Sequence, residues 1–177
     1  MFPTLTTERF LLQQIVAEDQ PFIFEGLSHP AVIPFYGVSY GSLEATKEQV
    51  EWYDKMLAEG TGVSWKIVDK ITLEKIGVIS VYYYKPEHKK AEAGFWLLPQ
   101  YWGKGIALEV LQAAITYWKE EKDLHRLEGF VEEGNNASSK LLEKAGFVYE
   151  GKMKDCEIKN GNYISLLIYA LILSNRF

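Results

Sequence analysis

The chain reads as an α/β (α+β) fold built on a mixed, mostly antiparallel central sheet flanked by helices. Three observations predict it. The hydrophobic period switches between two and three-to-four residues in the order strand, two helices, three strands, helix, strand, helix, two strands. A strand ending near Leu98 passes through a turn with two glycines, Gly103 and Gly105, directly into an amphipathic helix. The 177 residues are 47% hydrophobic, enough for a core without staples, and show no repeat or linker, so residues 1–177 are expected to form a single domain.

From Thr7 through Ile15 apolar and polar positions roughly alternate, which opens a first strand. Asp19 suits a cap for a short helix from about Pro21 to Leu27. Ser28 to Gly41 holds Pro30, Pro34, Gly37 and three large aromatics, Phe35, Tyr36 and Tyr40; it is too irregular for an element and too apolar for a linker, so it is read as a packed loop. Ser42 begins a second helix with Glu44 at its positive end, Val50, Tyr53, Met56 and Leu57 as its buried stripe, and Gly60 as its stop.

From Val63 the period becomes two, and Val63 to Ile67 with Ile76 to Val81 reads as an antiparallel hairpin across a polar turn at residues 69–75. After the charged turn from Pro86 to Lys90 the chain returns as Ala91 to Leu98. The next helix carries Ala107, Leu111, Ala114 and Trp118 on one face, with Leu108 and Ile115 beside them. Leu124 to Val131 is a strand, Asn136 to Ala145 a short helix stopped by Gly146, and Val148 to Lys154 pairs with Tyr163 to Leu173 across a tight turn at Asn160-Gly161.

Composition narrows the function. A net charge of -5 argues against nucleic acid as a partner, since that affinity rests on lysines and arginines replacing counterions, and is compatible with a cationic partner such as an amine. The single Cys156 cannot form an internal disulfide, and no cysteine-histidine cluster has metal-ligand spacing, so no metal is expected. The start of the chain lacks the regions of a signal peptide, and the longest apolar run, Ile164 to Leu173, is too short to span a bilayer. A cytoplasmic protein without a membrane partner is expected; the oligomeric state stays open, a homodimer included.

The glycine turn between strand and helix is where chemistry concentrates. Such a turn aims unpaired backbone N–H groups and the positive end of the helix dipole at one point, an anion site suited to phosphate. A dinucleotide fingerprint from Gly103 would need a small residue where Leu108 stands, and a nucleotide P-loop ending in Gly103-Lys104 would need glycine at Leu98 and a hydroxyl at Gly105. Both fail. On this stretch alone a mere connector remains the alternative.

The pattern that fits is the pyrophosphate loop of the GNAT acyl-CoA transferases: glutamine or arginine, two residues, glycine, one residue, then glycine or alanine. Trp102-Gly103-Lys104-Gly105-Ile106-Ala107 matches it with tryptophan in first place; a register from Gln100 to Gly105 also fits but starts the helix two residues early. Thr7-Glu8-Arg9-Phe10, Ala91-Glu92-Ala93-Gly94-Phe95-Trp96-Leu97, Asn135-Asn136-Ala137-Ser138 and Glu143-Lys144-Ala145-Gly146-Phe147 follow in the family's order. Over nearly its full length the chain resembles the RimJ/RimL-like, ribosomal-protein-alanine N-acetyltransferase branch of the GNAT superfamily.

The resemblance implies transfer of acetyl from acetyl-CoA to a primary amine, a protein or peptide N-terminus or a small molecule, by direct attack on the thioester. It implies that the backbone of Gly103, Lys104, Gly105, Ile106 and Ala107 holds the pyrophosphate. The strand ending at Leu97 and Leu98 would splay from its neighbour and pair with the pantetheine arm, an N–H near Leu97 facing the developing oxyanion. Asn135 would bond the arm, although asparagine also caps helices without any ligand. Leu142 stands where many relatives carry a tyrosine that protonates the thiolate, so Ser138 becomes the proton donor; a first-turn serine bonding backbone is the alternative. Glu92 leads as general base, against a simple pairing with Arg126 or a lysine, with Glu74 and Glu8 behind it. His29, His88 and His125 are scattered and read as packing or solvent residues.

Phe35, Tyr36 and Tyr83, with Tyr40, Tyr82 and Tyr84 nearby, are expected to line the acceptor side and favour a small amine or a short N-terminal segment. Two further classes compete: a catalytically idle acyl-CoA-binding module, and an interaction domain that binds no CoA.

Overall fold

The computed structural model describes residues 2–173. Strands β1 (Leu5–Thr6), β2 (Phe10–Gln14), β3 (Val63–Asp69), β4 (Lys75–Lys85), β5 (Lys90–Leu97), β6 (Arg126–Glu132), β7 (Val148–Lys159) and β8 (Asn162–Ile172) alternate with helices α1 (Gln20–Ser28), α2 (Leu43–Ala58), α3 (Ile106–Lys122) and α4 (Asn136–Lys144). Among the described residues the strands form one eight-stranded sheet in the order β1-β2-β3-β4-β5-β6-β8-β7. Every neighbouring pair is antiparallel except β5 and β6.

Alternation along the strands builds a core on each face. Trp65, Ile67, Ile79, Val81 and Leu127 pack with Val110, Leu111 and Trp118 of α3 and Leu142 of α4. On the other face Val78 and Trp96 meet Ile23, Leu27, Val50 and Met56 of α1 and α2. Burying each such large apolar side chain stabilises the fold by about 1.5–3 kcal/mol. Gly26 lets α1 settle onto Trp96, since a Cβ there would stand 2.1 Å from the indole ring; Gly26→Ala would force the two apart.

The structure extends or corrects several expectations. The first strand is shorter, Phe10–Gln14, and a two-residue strand precedes it. The β7–β8 hairpin turns at Asn160 and Gly161, both with positive φ, so β7 runs on to Lys159. Ser42 caps α2 as expected, its hydroxyl accepting from Ala45 N at 3.2 Å. Asp19 does not cap α1. Its buried carboxylate accepts from Val16 N at 2.9 Å and ion-pairs with Lys66 at 2.7 Å and Lys75 at 2.6 Å. Two lysines from β3 and β4, distant in sequence, outweigh the local preference for a cap.

Two irregularities shape the centre of the sheet. β4 runs past Val81, and the β4–β5 register shifts between Tyr82 and Lys85, where Tyr83 takes a φ of 53°. The bulge turns two consecutive tyrosines, Tyr82 and Tyr83, toward Trp52 of α2, while Tyr84 packs on Trp118 on the opposite face. The parallel pair is brief: Lys90, Ala91 and Glu92 face Arg126, Leu127 and Glu128. Beyond Glu92 and Glu128 the strands run on unpaired with each other to Leu97 and Glu132, leaving a wedge-shaped gap.

Candidate active site

The turn into α3 stands at the end of β5. Gly103 and Gly105 both sit in the left-handed region, with φ of 72° and 73°, a conformation that costs any residue with a Cβ. Gly105 is the N-cap of α3 and has no side chain to bond the first-turn N–H groups of Ile106, Ala107 and Leu108. Those donors and the helix dipole remain available to an anion. Arg9 holds the loop from behind, donating Nη1 to the Lys104 carbonyl at 3.1 Å and Nε to Glu109 of α3 at 2.7 Å. Trp102 fixes it from the front, its indole N–H donating to the Leu97 carbonyl at 2.8 Å.

The gap beside β5 has backbone donors of its own. Leu98 N–H donates to the Ile76 carbonyl at 2.9 Å, so Leu98, and by antiparallel alternation Trp96 and Gly94, point their backbone groups at β4. Ala93, Phe95 and Leu97 therefore turn theirs toward the gap. The expected N–H of Leu97 is free for an extended, amide-rich arm. Leu98 offers no free donor to the gap, since its N–H is taken and its side chain is buried among α1 and α2.

The opposite wall of the gap is β6 and the start of α4. Asn135 is the N-cap of α4 and its Oδ1 accepts from Ser138 N at 3.2 Å, while its amide N–H groups make no hydrogen bond among the described residues. The Ser138 hydroxyl is half-buried and makes no hydrogen bond with the described residues. Leu142 is core: a Cβ on Gly129 of β6 would meet it at 2.7 Å.

At the apex, Glu92 and Glu128 face each other across the parallel pair, and their environments differ. Glu128 accepts from Arg126 Nε at 2.7 Å and from Lys90 at 3.4 Å. Glu92 has no hydrogen-bond or ion-pair partner among the described residues. Burial pushes its carboxyl above the ordinary range, and the charge of Glu128 adds to the rise, with Lys90 and Lys85 opposing it. A half-buried carboxyl raised in this way holds a proton more readily than a solvated one, which suits a proton acceptor.

Residues 9–148 match the acetyltransferase (GNAT) domain family. The chain belongs to the GNAT acetyltransferase family. The uncharacterized N-acetyltransferase YoaA of Bacillus subtilis (strain 168) is 31% identical over 173 residues, spanning 97% of this chain and 98% of its own length. The ribosomal-protein-serine acetyltransferase of Escherichia coli (strain K12) is 27% identical over 165 residues, 93% of this chain and 87% of its own. Among solved structures, RimL, a ribosomal L7/L12 alpha-N-protein acetyltransferase in complex with coenzyme A, superposes with a TM-score of 0.87 at 25% identity, covering 97% of this chain and 98% of that one. This GNAT protein is an acetyl-CoA-dependent N-acetyltransferase whose acceptor is an amine. The idle-module alternative finds no support in these relatives.

The acceptor-side expectations divide. Tyr83 and Glu92 meet in one cavity of about 490 Å³, lined also by Trp52, Met56 and Glu59 of the α2 region. Phe35 and Tyr36 are not among its lining residues. Tyr36 packs half-buried with the α1–α2 core, and burial, with Tyr53, Tyr82 and Tyr40 nearby, pushes its phenol up. Phe35 lies at the other end of the gap, its ring 3.9 Å from where a Cβ on Gly134 would stand. Lys159 of β7 ties that loop across the GNAT cleft, donating to the Pro34 carbonyl and to Glu132 at 2.7 Å. Neither Lys159 nor the loop-holding role of Arg9 was a sequence-based expectation. Arg9 stood out only within a family motif, and nothing local marks Lys159. Among the described residues no helix is long and apolar enough to cross a membrane.

Proposed function

We propose that this GNAT enzyme acetylates a small primary amine or a short N-terminal segment, with Glu92 as the general base and Ser138 as the proton donor to sulfur. The observation that carries the reading is the parting of β5 from β6 directly after Glu92 and Glu128, which lines up Glu92, the free N–H groups of Phe95 and Leu97, and the uncapped start of α3 along one groove. In this reading the pyrophosphate of acetyl-CoA sits on the N–H groups of Gly103 to Ala107. The pantetheine arm adds to β5 as a further strand, anchored also by Asn135. The thioester then reaches the apex, where the Leu97 or Phe95 side of the strand supplies an N–H to the developing oxyanion.

The acceptor approaches from the face of Tyr83 and Trp52, where aromatic faces, Glu92 and Glu59 favour an amine and Lys55 and Lys85 of the same lining oppose its charge. An α-amino group titrates near 8 and a lysine amine near 10.4, so an N-terminal amine needs the least help from a base. Attack by the neutral nitrogen forms the C–N bond, its proton passes to Glu92, and the departing thiolate takes a proton from Ser138. Relatives acting on ribosomal-protein N-termini support a peptide acceptor, and Phe35 and Tyr36, on the loop that Lys159 holds across the cleft, would guide it. A cytoplasmic setting belongs to the same reading and is supported by its dependence on acetyl-CoA. Thiol release from acetyl-CoA, followed over free-N-terminal peptides, polyamines and aminoglycosides, tests the reading. Turnover with one of these classes is expected, and efficient acetylation of internal lysines of folded proteins would contradict it.

A further inference from the structure

A second polar side chain stands at the apex beside Glu92, and its use rests on the reading that Glu92 serves the acceptor amine. Tyr82 lies directly opposite Glu92 on β4, so the two side chains rise on the same face of the sheet. Two positions beyond Glu92 on that face is Gly94, and the Tyr82 ring fills the space its missing side chain leaves. A Cβ on Gly94 would stand 2.9 Å from Tyr82 Cε1 and 3.2 Å from its hydroxyl oxygen. The phenol thus lies across the first residues beyond the parting of β5 and β6.

Packing holds the ring there. Trp52 meets it edge-on at 5.8 Å and Tyr83 at 5.0 Å, an arrangement that exists because the β4 bulge puts both tyrosines on one face. A packing role alone would be served as well by phenylalanine. Yet the hydroxyl makes no hydrogen bond with the described residues, and neither does Glu92 beside it.

Burial, then the charge of Glu92, push the Tyr82 phenol above its ordinary value. It therefore stays neutral at any working pH. A neutral phenol can donate one hydrogen bond and accept others at once.

We propose that the Tyr82 hydroxyl contacts the attacking amine, accepting a hydrogen bond from its N–H while donating its own to Glu92. As the C–N bond forms, the nitrogen proton moves to the Tyr82 oxygen and the Tyr82 proton moves to Glu92. The C–S bond breaks, and sulfur takes its proton from Ser138 or water. Tyr82 and Glu92 then act as one relay, and Gly94 is glycine so that the phenol can lie at the apex.

The test is Tyr82→Phe, Glu92→Gln and the double variant, each assayed with whichever of a free-N-terminal peptide, a polyamine or an aminoglycoside the wild type turns over. Tyr82→Phe keeps the ring, so its melting temperature and its KM for acetyl-CoA should match wild type while kcat falls by about 10²-fold, the low end for a positioned proton-transfer group. The double variant should be no slower than the slower single variant, because members of one relay are not additive. A slow Glu92→Gln with a wild-type Tyr82→Phe, or losses that multiply in the double variant, would overturn the relay and leave Glu92 as the base. Wild-type turnover in Glu92→Gln would overturn both readings.

Discussion

Arg9 grips Glu109 twice, through its backbone N–H to Oε1 at 2.9 Å and its Nε to Oε2 at 2.7 Å. The same guanidinium reaches the Lys104 carbonyl at 3.1 Å, so the start of β2 is fastened to both the pyrophosphate loop and the first turn of α3. Arg9→Met keeps the stem and removes the fork. The pair is partly exposed and worth at most about 1 kcal/mol, so the KM for acetyl-CoA is expected to rise by up to about five-fold with kcat little changed. An unchanged KM would show that the loop holds its shape without Arg9.

The same pair has a pH signature. Burial pushes the Glu109 carboxyl up, but the Thr7 hydroxyl and the Arg9 hydrogen bonds hold it below its ordinary value. A carboxylate depressed on folding contributes stability that is fully present above its unfolded pKa, about 4.3, and is lost as pH falls through the folded one. The melting-temperature gap between wild type and Arg9→Met should therefore be full at pH 7 and narrow below about pH 4.

Gly105 is glycine for its backbone rather than for space. A Cβ there would meet only Arg9 Nη2, at 3.8 Å, but the φ of 73° is left-handed. Gly105→Val should cost roughly 1–2 kcal/mol or reshape the turn, and either way the rise in melting temperature that acetyl-CoA gives by binding the folded state should be lost. A wild-type shift in Gly105→Val would move the pyrophosphate off this loop.

Glu92 and Ser138 are separable by pH and by parameter. With Glu92 raised by burial and by Glu128, kcat should climb with pH through that raised value, and Glu92→Gln should abolish the limb. Glu128→Gln removes the like charge and should move the limb to lower pH; a limb that stays put would exclude Glu92 as its source. Ser138→Ala should lower kcat by about 10²-fold with acetyl-CoA affinity intact, and wild-type turnover would leave water as the proton source.

How much of this was legible without coordinates follows from the range of the forces involved. The strand order, the Gly103–Gly105 turn and the start of α3 depend on local periodicity and on residues that adopt positive φ, so they could be read directly. The bulge at Tyr83 could not, because three successive tyrosines satisfy a strand period whichever face each takes. Asp19 was read as a cap from its neighbours, and two distant lysines decided otherwise. Asn135 caps α4, the role its residue type allowed without any ligand, and its amide N–H groups make no hydrogen bond among the described residues.

Lys159 offers a test confined to the acceptor. Its bonds to Pro34 and Glu132 hold residues 33–35 across the mouth of the gap. Lys159→Met should raise the acceptor KM several-fold and leave the KM for acetyl-CoA alone, the loss of one or two charge-assisted hydrogen bonds at a partly exposed site. Equal change in both would mean that the strap supports the whole cleft.

The central claim is that the arm of acetyl-CoA joins β5 as a strand within the gap. Amide hydrogen exchange of individual β5 residues, with and without acetyl-CoA, tests it most directly. Phe95 and Leu97, whose N–H groups face the gap, should become strongly protected on binding, whereas Trp96 and Leu98, already bonded to β4, should change little. Protection that appears equally in all four, or only in the loop at residues 103–107, would contradict the account.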